Sequence, residues 1–186
     1  MKRRELLLGA LAVAGCAPTI QQALRPGPRF AGPRLEPDAF VSFDGARLGL
    51  SICYDVRFPA LYRALAESGA SFITVPSAFT VRTGEAHWHT LLRARAIENG
   101  CFVFAAAQAG LHENKRETYG HSLIIAPWGE VLAEGGTEPG VFMARIDPAR
   151  VETARKSVPS LQHGRRFSVT DPKAGPEHLH LVRGSA

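Results

Sequence analysis

The sequence predicts a layered α/β domain, of the α+β kind, and three observations predict it. Between residues 47 and 107, short apolar runs of strand length alternate with segments of helical period. Between residues 121 and 146 the strand-like runs cluster without helices between them. The chain has 186 residues with 45% hydrophobic and 21% charged side chains, which suits one globular domain with a packed core.

The elements follow in order. Arg47 to Cys53 is a short apolar run, read as a buried strand. Phe58 to Ser68 carries Leu61, Ala64 and Leu65 at helical spacing, and Gly69 stops it. Ser71 to Val75 is a second strand, closed by Pro76. Ala86 to Asn99 is a helix with Leu91, Leu92 and Ile97 turned inward and Gly100 as its stop. Cys101 to Ala107 is a further buried strand. His121 to Ala126 and Glu130 to Ala133 form a hairpin about Pro127-Trp128-Gly129. Val141 to Ile146 is one more strand, and Pro148 to Lys156 is a short helix with proline at its start.

The first forty residues read differently. Lys2, Arg3 and Arg4 precede an apolar stretch from Leu6 to Val13, and small residues lead to Cys16. A basic start, a short apolar run and small residues before a cut site describe an export signal. A small pair directly before cysteine resembles a bacterial lipoprotein leader, with Cys16 lipidated as a membrane anchor. The expectation is therefore the cell envelope, with an ordinary cytoplasmic start as the alternative. From Ala17 to Phe40, Pro18, Pro26, Pro28, Pro33 and Pro37 exclude a helix or a central strand and read as a linker.

The net charge is +5, but no basic stripe is interleaved with aromatics, so no nucleic-acid partner is expected. Cys16, Cys53 and Cys101 form no CxxC pair, so neither a disulfide framework nor a metal cage is expected. Cys101 opens an apolar strand and reads as a small core residue. Composition alone reads Cys53 the same way. Its position is different: it sits between a strand and a helix, where a sulfur can face a pocket and backbone N–H groups can meet an oxyanion.

Three segments bear on Cys53. They are Leu48-Gly49-Leu50-Ser51-Ile52-Cys53-Tyr54-Asp55-Val56-Arg57-Phe58-Pro59; then Pro76-Ser77-Ala78-Phe79 with Ala86-His87-Trp88 and Leu92-Arg93-Ala94-Arg95-Ala96-Ile97-Glu98; then Tyr119-Gly120-His121-Ser122 with Pro127-Trp128-Gly129. In this order and spacing they resemble the nitrilase, or carbon–nitrogen hydrolase, superfamily, in its omega-amidase and deaminated-glutathione-amidase branch. The resemblance covers about Gly45 to Arg166. It implies a four-layer α-β-β-α sandwich that pairs into dimers, a Glu–Lys–Cys triad, and no metal or organic cofactor. It implies a small carboxamide as substrate, attacked by the cysteine to give a thioester that water hydrolyses. Cys53 matches the nucleophile and the Tyr54 N–H the backbone oxyanion donor. Ala78 and Phe79 match the loop beside the pocket, and His87 is taken with them. Asp55 and Arg57 are read as a buried ion pair that shapes the elbow.

In the family, the glutamate and the lysine precede the cysteine. Before Cys53 this sequence has Lys2, Glu5 and Glu36, none in a matching motif. The expectation is an incomplete sandwich corresponding to the C-terminal portion of the domain: leader 1–16, linker 17–40, partial hydrolase domain 41–170 and tail 171–186. Weak or absent turnover is expected of it, together with dimerisation or higher self-association. The alternative is a catalytically dead fragment or a non-enzymatic interaction module. Glu85, His87 and His89 are conceivable substitutes, but they read more simply as exposed residues at a helix start. Tyr119 and His121 read as a packed hydrogen-bond network, and Arg93 and Arg95 as solvated helix positions.

Overall fold

The computed structural model describes residues 6–11, 40–43 and 46–165. Residues 1–5 and 12–16 of the expected leader, Cys16 among them, lie outside the described residues. So do residues 17–39 of the expected linker and the expected tail at 171–186. Leu6–Leu11, inside the apolar run of the expected leader, is strand β1 and pairs antiparallel with β10, Val141–Ile146.

The main sheet has six strands: β2 (Phe40–Phe43), β3 (Ala46–Leu50), β4 (Ala70–Thr74), β5 (Phe102–Ala105), β8 (Leu123–Ile125) and β9 (Val131–Glu134), in that spatial order. β3, β4 and β5 run parallel, while β2, β8 and β9 pair antiparallel with their neighbours. Parallel neighbours need crossover connections. Helix α1 (Pro59–Glu67) supplies the first and α2 (Val81–Asn99) the second. Pro59 opens α1 at a position where its fixed φ suits the helix. Gly100 ends α2 in the left-handed region, at φ +56°.

Side chains alternate across a strand, so the central strands feed two cores. On the helix side, Ile73, Val103 and Ile125 pack with Tyr62 and Leu65 of α1 and with Trp88 and Leu92 of α2. On the other side, Phe72, Phe102, Phe104 and Ile124 pack against Ile146 of β10 and Val151 of helix α3 (Ala149–Ser157). Phe72 stacks on Phe102 at 5.6 Å between ring centroids. The result is a helix layer, the six-stranded sheet, and β10 with β1 and α3 over the second face. Among the described residues no helix is long and apolar enough to cross a membrane.

Several elements depart from expectation. The first strand ends at Leu50, because Cys53 begins a 3₁₀ turn. Helix α2 begins at Val81, one turn and more before Ala86. A short hairpin of β6 (Ala109–Leu111) and β7 (Glu117–Tyr119) stands where no strands were expected. Ile97 is 51% exposed rather than inward, whereas Arg95 is 4% exposed rather than solvated. Arg95 tolerates burial because its Nε donates to the Val56 carbonyl at 2.9 Å and its Nη1 to Glu98 at 2.7 Å. Cys101 is fully buried as expected, but not among apolar groups alone: Arg155 Nη2 lies 3.1 Å from its sulfur. Burial holds that thiol above the ordinary cysteine range, against the opposing pull of Arg155.

The early start of α2 rests on Gly84. A Cβ there would meet Tyr119 Cγ at 2.1 Å, so only glycine lets the helix lie against β7. Gly84→Ala is therefore expected to destabilise the chain by roughly 1–3 kcal/mol through overpacking, read as a lowered urea midpoint. Large apolar side chains also stand exposed beside the 3₁₀ turn: Ile52 at 52%, Tyr54 at 64% and Phe58 at 50%. Among the described residues no further strand pairs with the outer edges of β2 and β9, and with such edges the patch favours association. Light scattering at micromolar concentration is expected to show dimers or larger species. A well-behaved monomer would contradict this.

Candidate active site

Cys53 is the first residue of the turn Cys53–Arg57, which joins β3 to α1. Its φ is +46°, in the left-handed region that a non-glycine residue enters at a cost of about 1–2 kcal/mol. Such strain persists where the surroundings over-determine the backbone. Here they do. Ser51 N–H donates to Thr74 O at 3.1 Å, and Cys53 N–H to Pro76 O at 2.9 Å. Asp55 N–H returns to Ile52 O at 2.9 Å, while the Asp55 carboxylate accepts from Ile52 N–H at 2.9 Å. Beneath the elbow, Ser51 Oγ and the Tyr62 hydroxyl lie 2.6 Å apart. Burial, offset in part by that hydrogen bond, pushes the Tyr62 hydroxyl well above the tyrosine range.

The elbow leaves the Cys53 side chain half-buried, between the core and the surface. The Tyr54 N–H belongs to the opening of the 3₁₀ turn, where N–H groups have no partner within the helix. Asp55 and Arg57 do not pair, contrary to the sequence expectation. Asp55 is spent on the Ile52 N–H. Arg57 instead lies over Phe79, at 5.1 Å from its ring centroid, and over Tyr54 at 5.5 Å, and its Nη1 is 3.3 Å from His87 Nδ1. A guanidinium only donates, so His87 Nδ1 accepts. Arg57 thus brings Tyr54 of the elbow together with Phe79 and His87. Nothing in the sequence assigned it that role.

The segment from Pro76 to Thr80 lies beside the elbow, joined to it by the bond from Cys53 N–H to Pro76 O. Ser77 N–H donates to Ala106 O, Gln108 N–H to Ser77 O, and Tyr119 N–H to Phe79 O, each at 2.8–2.9 Å. Arg116 Nη2 donates to Ala78 O. Phe79 is buried and packs on Trp88 with ring centroids 5.0 Å apart. His87, on α2, is exposed. Among the described residues, no side chain hydrogen-bonds to Cys53 Sγ.

A cysteine at a strained strand-to-helix elbow, with a zipped loop facing it, is the arrangement that the motifs imply. Residues 24–156 match the carbon–nitrogen hydrolase family. The chain belongs to that family. It is 54% identical over 127 residues to the deaminated glutathione amidase of Synechocystis sp., an alignment that covers 68% of this chain and 47% of that protein. This carbon–nitrogen hydrolase chain thus spans about half the length of the curated relatives it matches. Its fold is nitrilase-type. It superposes on the NitFhit protein of C. elegans with a TM-score of 0.63 at 47% identity, covering 69% of this chain and 33% of that one. It superposes on a mutant amidase from Nesterenkonia sp. AN1 with a TM-score of 0.56 at 35% identity, covering 68% and 44% of the two chains. That amidase structure shows covalent addition of the acetamide moiety of fluoroacetamide at the active-site cysteine.

A second cluster forms beyond Trp88. Trp88 Nε1 donates to His121 O at 2.7 Å. His89 Nε2 and His121 Nδ1 both approach Glu134 Oε1, at 2.9 and 3.0 Å. Tyr119 stacks on the His121 ring with centroids 4.3 Å apart. Partial burial raises the Glu134 carboxyl, but the hydrogen bonds from His121 and His89 outweigh it and hold the group below the usual glutamate range. The hydrogen-bond network expected of Tyr119 and His121 instead joins His121 to Glu134 and His89, and Tyr119 meets His121 through a ring stack.

Proposed function

We propose that the chain carries the nucleophile half of an amide-hydrolysing site, with Cys53 as nucleophile and small carboxamides as substrates. The observation that carries this reading is the left-handed Cys53 at the strand-to-helix elbow, with the Tyr54 N–H beside it. In this reading the Cys53 sulfur attacks the carboxamide carbon, and the Tyr54 N–H stabilises the oxyanion. Ammonia leaves, and water hydrolyses the thioester. Ala78, Phe79 and His87 line the substrate side, with Arg57 holding Phe79 and His87 against the elbow. The adduct at the active-site cysteine of the Nesterenkonia amidase, which is 35% identical to this chain over the matched part, supports a thioester route. The names of the curated relatives support a carboxamide as the acceptor bond.

Within the 186 residues, no glutamate and lysine precede Cys53 in the order that the family's triad uses. We therefore propose that this polypeptide by itself turns over slowly or not at all. The experiment is ammonia release from a panel of small ω-carboxamide acids, by the chain alone and by the chain joined to the N-terminal segment of a family member. Little release alone, with release on joining that disappears in Cys53→Ala, is the expected outcome. Robust release by the chain alone would overturn the proposed deficit, and release that survives Cys53→Ala would overturn the nucleophile. No release from the joined protein, if folded, would favour a non-enzymatic module.

A further inference from the structure

We propose that His89, His121 and Glu134 form a binding site for a divalent transition-metal ion of the zinc class, with an open position facing solvent. The proposal does not depend on the amide-hydrolase reading, in which Cys53 and the Tyr54 N–H do the chemistry and His121 and Glu134 have no part.

The three side chains come from separate elements: His89 from α2, His121 from the turn entering β8, and Glu134 from the end of β9. Their ligand atoms all lie within 4.8 Å of one another. The backbones that carry them are tied together. The Trp88 indole, next to His89, holds the His121 carbonyl, and His121 N–H donates to Gly136 O at 3.0 Å. The ladder sets Leu123 opposite Glu134, and Gly135 N–H donates to Ser122 O at 2.8 Å. His121 itself sits at φ +57°, a left-handed conformation that turns its ring toward Glu134 and is held there by these bonds. Tyr119 backs the ring.

The donor set selects the class of ion. Two imidazole nitrogens and one carboxylate suit Zn²⁺ and its first-row neighbours, whereas Ca²⁺ and Mg²⁺ take oxygen ligands. Three protein ligands plus one solvent position is the pattern of an open zinc site. With ligands about 2.0–2.1 Å from the ion, tetrahedral geometry sets ligand atoms about 3.4 Å apart. The two nitrogens are 2.9 and 3.0 Å from Oε1, so these two spacings open by a few tenths of an ångström to admit the ion, while the nitrogens lie within 4.8 Å of each other. The side chains are 30% to 42% exposed, so an ion reaches them without unfolding.

The protons balance. A carboxylate oxygen only accepts, so in the metal-free cluster both rings donate N–H to Glu134. On binding, each neutral ring changes tautomer: the inward nitrogen gives its proton to solvent and the outward nitrogen, Nδ1 of His89 or Nε2 of His121, takes one up, with no net release. The inward lone pairs and the carboxylate then hold the dication, and water fills the fourth position.

The test is titration of the purified full chain with Co²⁺ followed by visible absorption, and with Zn²⁺ followed by calorimetry. One ion per chain is expected, with tetrahedral Co²⁺ bands that Zn²⁺ abolishes. His121→Ala and Glu134→Gln are expected to weaken binding at least tenfold, while His163→Ala, outside the cluster, leaves it unchanged. Variants are compared only where circular dichroism matches that of the parent chain. Should His121→Ala not fold, Glu134→Gln and His89→Ala, both at partly exposed positions, carry the test. Failure of the parent chain to bind either ion at 100-fold molar excess would overturn the proposal and leave a hydrogen-bonded triad. Undiminished binding in the folded variants would overturn it equally and place the ion elsewhere.

Discussion

Replacing Trp88 with alanine is expected to remove roughly 3–5 kcal/mol of stability, a large share of what a domain of this size holds. The indole is 1% exposed and is the largest of the fully buried side chains. It fills the helix-side core between Phe79 and the α2 stripe that continues through Leu92 and Ala96. Deleting it leaves a cavity that the sheet cannot close, because Ile73, Val103 and Ile125 are already in the same core. It also strips the His121 carbonyl of its indole donor, and thereby frees a left-handed residue. Two sites are disturbed at once: the Phe79 wall and the His89–His121–Glu134 cluster. Chemical denaturation of Trp88→Phe, which retains the ring bulk but lacks the N–H, is expected to show a smaller loss. Equal losses for phenylalanine and alanine would put the whole effect in the hydrogen bond.

The second large effect is on rate. In the family's chemistry, the lysine supplies a charged donor to the oxyanion and the glutamate moves the proton. Losing one oxyanion donor costs about 10²–10³ in rate, and losing general acid–base help about 10²–10⁴. The two losses need not multiply, because residues that act as a unit are strongly non-additive. Either one brings turnover of an amide close to background. The 186-residue polypeptide is thus expected to release ammonia at least 100-fold more slowly than the same chain joined to a family N-terminal segment, in matched assays at saturating amide. A ratio near one would mean that groups within this chain replace the pair, with Glu85, His87 and His89 the first to substitute.

Much of the fold is legible in the sequence, because burial follows period. The runs at Ser71 to Val75 and Val141 to Ile146, and the helical spacing after Phe58, each become an element within a residue or two of its expected limits. The misreadings have physical causes. Ile97 is apolar, but it falls outside the stripe of Gly84, Trp88, Leu92, Arg95, Ala96 and Asn99, and it packs instead under the Gly129 turn. Arg95 lies on that stripe, and its polarity hid the fact that the Val56 carbonyl and Glu98 satisfy it. The place of Cys53 between a strand and a helix was legible in the sequence. The route of Arg57 to His87 was not, because it depends on how α2 packs against the elbow. The His89–Glu134 contact joins residues 45 positions apart, and no local pattern announces it.

In the proposed site the elbow presents the Cys53 sulfur to small electrophiles, while the fold seals Cys101 away. Limiting iodoacetamide on the native chain, followed by peptide mass mapping over time, tests it most directly. Cys53 is expected to be carboxamidomethylated first. Cys101, fully buried with its thiol raised by that burial, stays unmodified until denaturant is added. Labelling of Cys101 ahead of Cys53, or of both at the same rate in the folded chain, would contradict it.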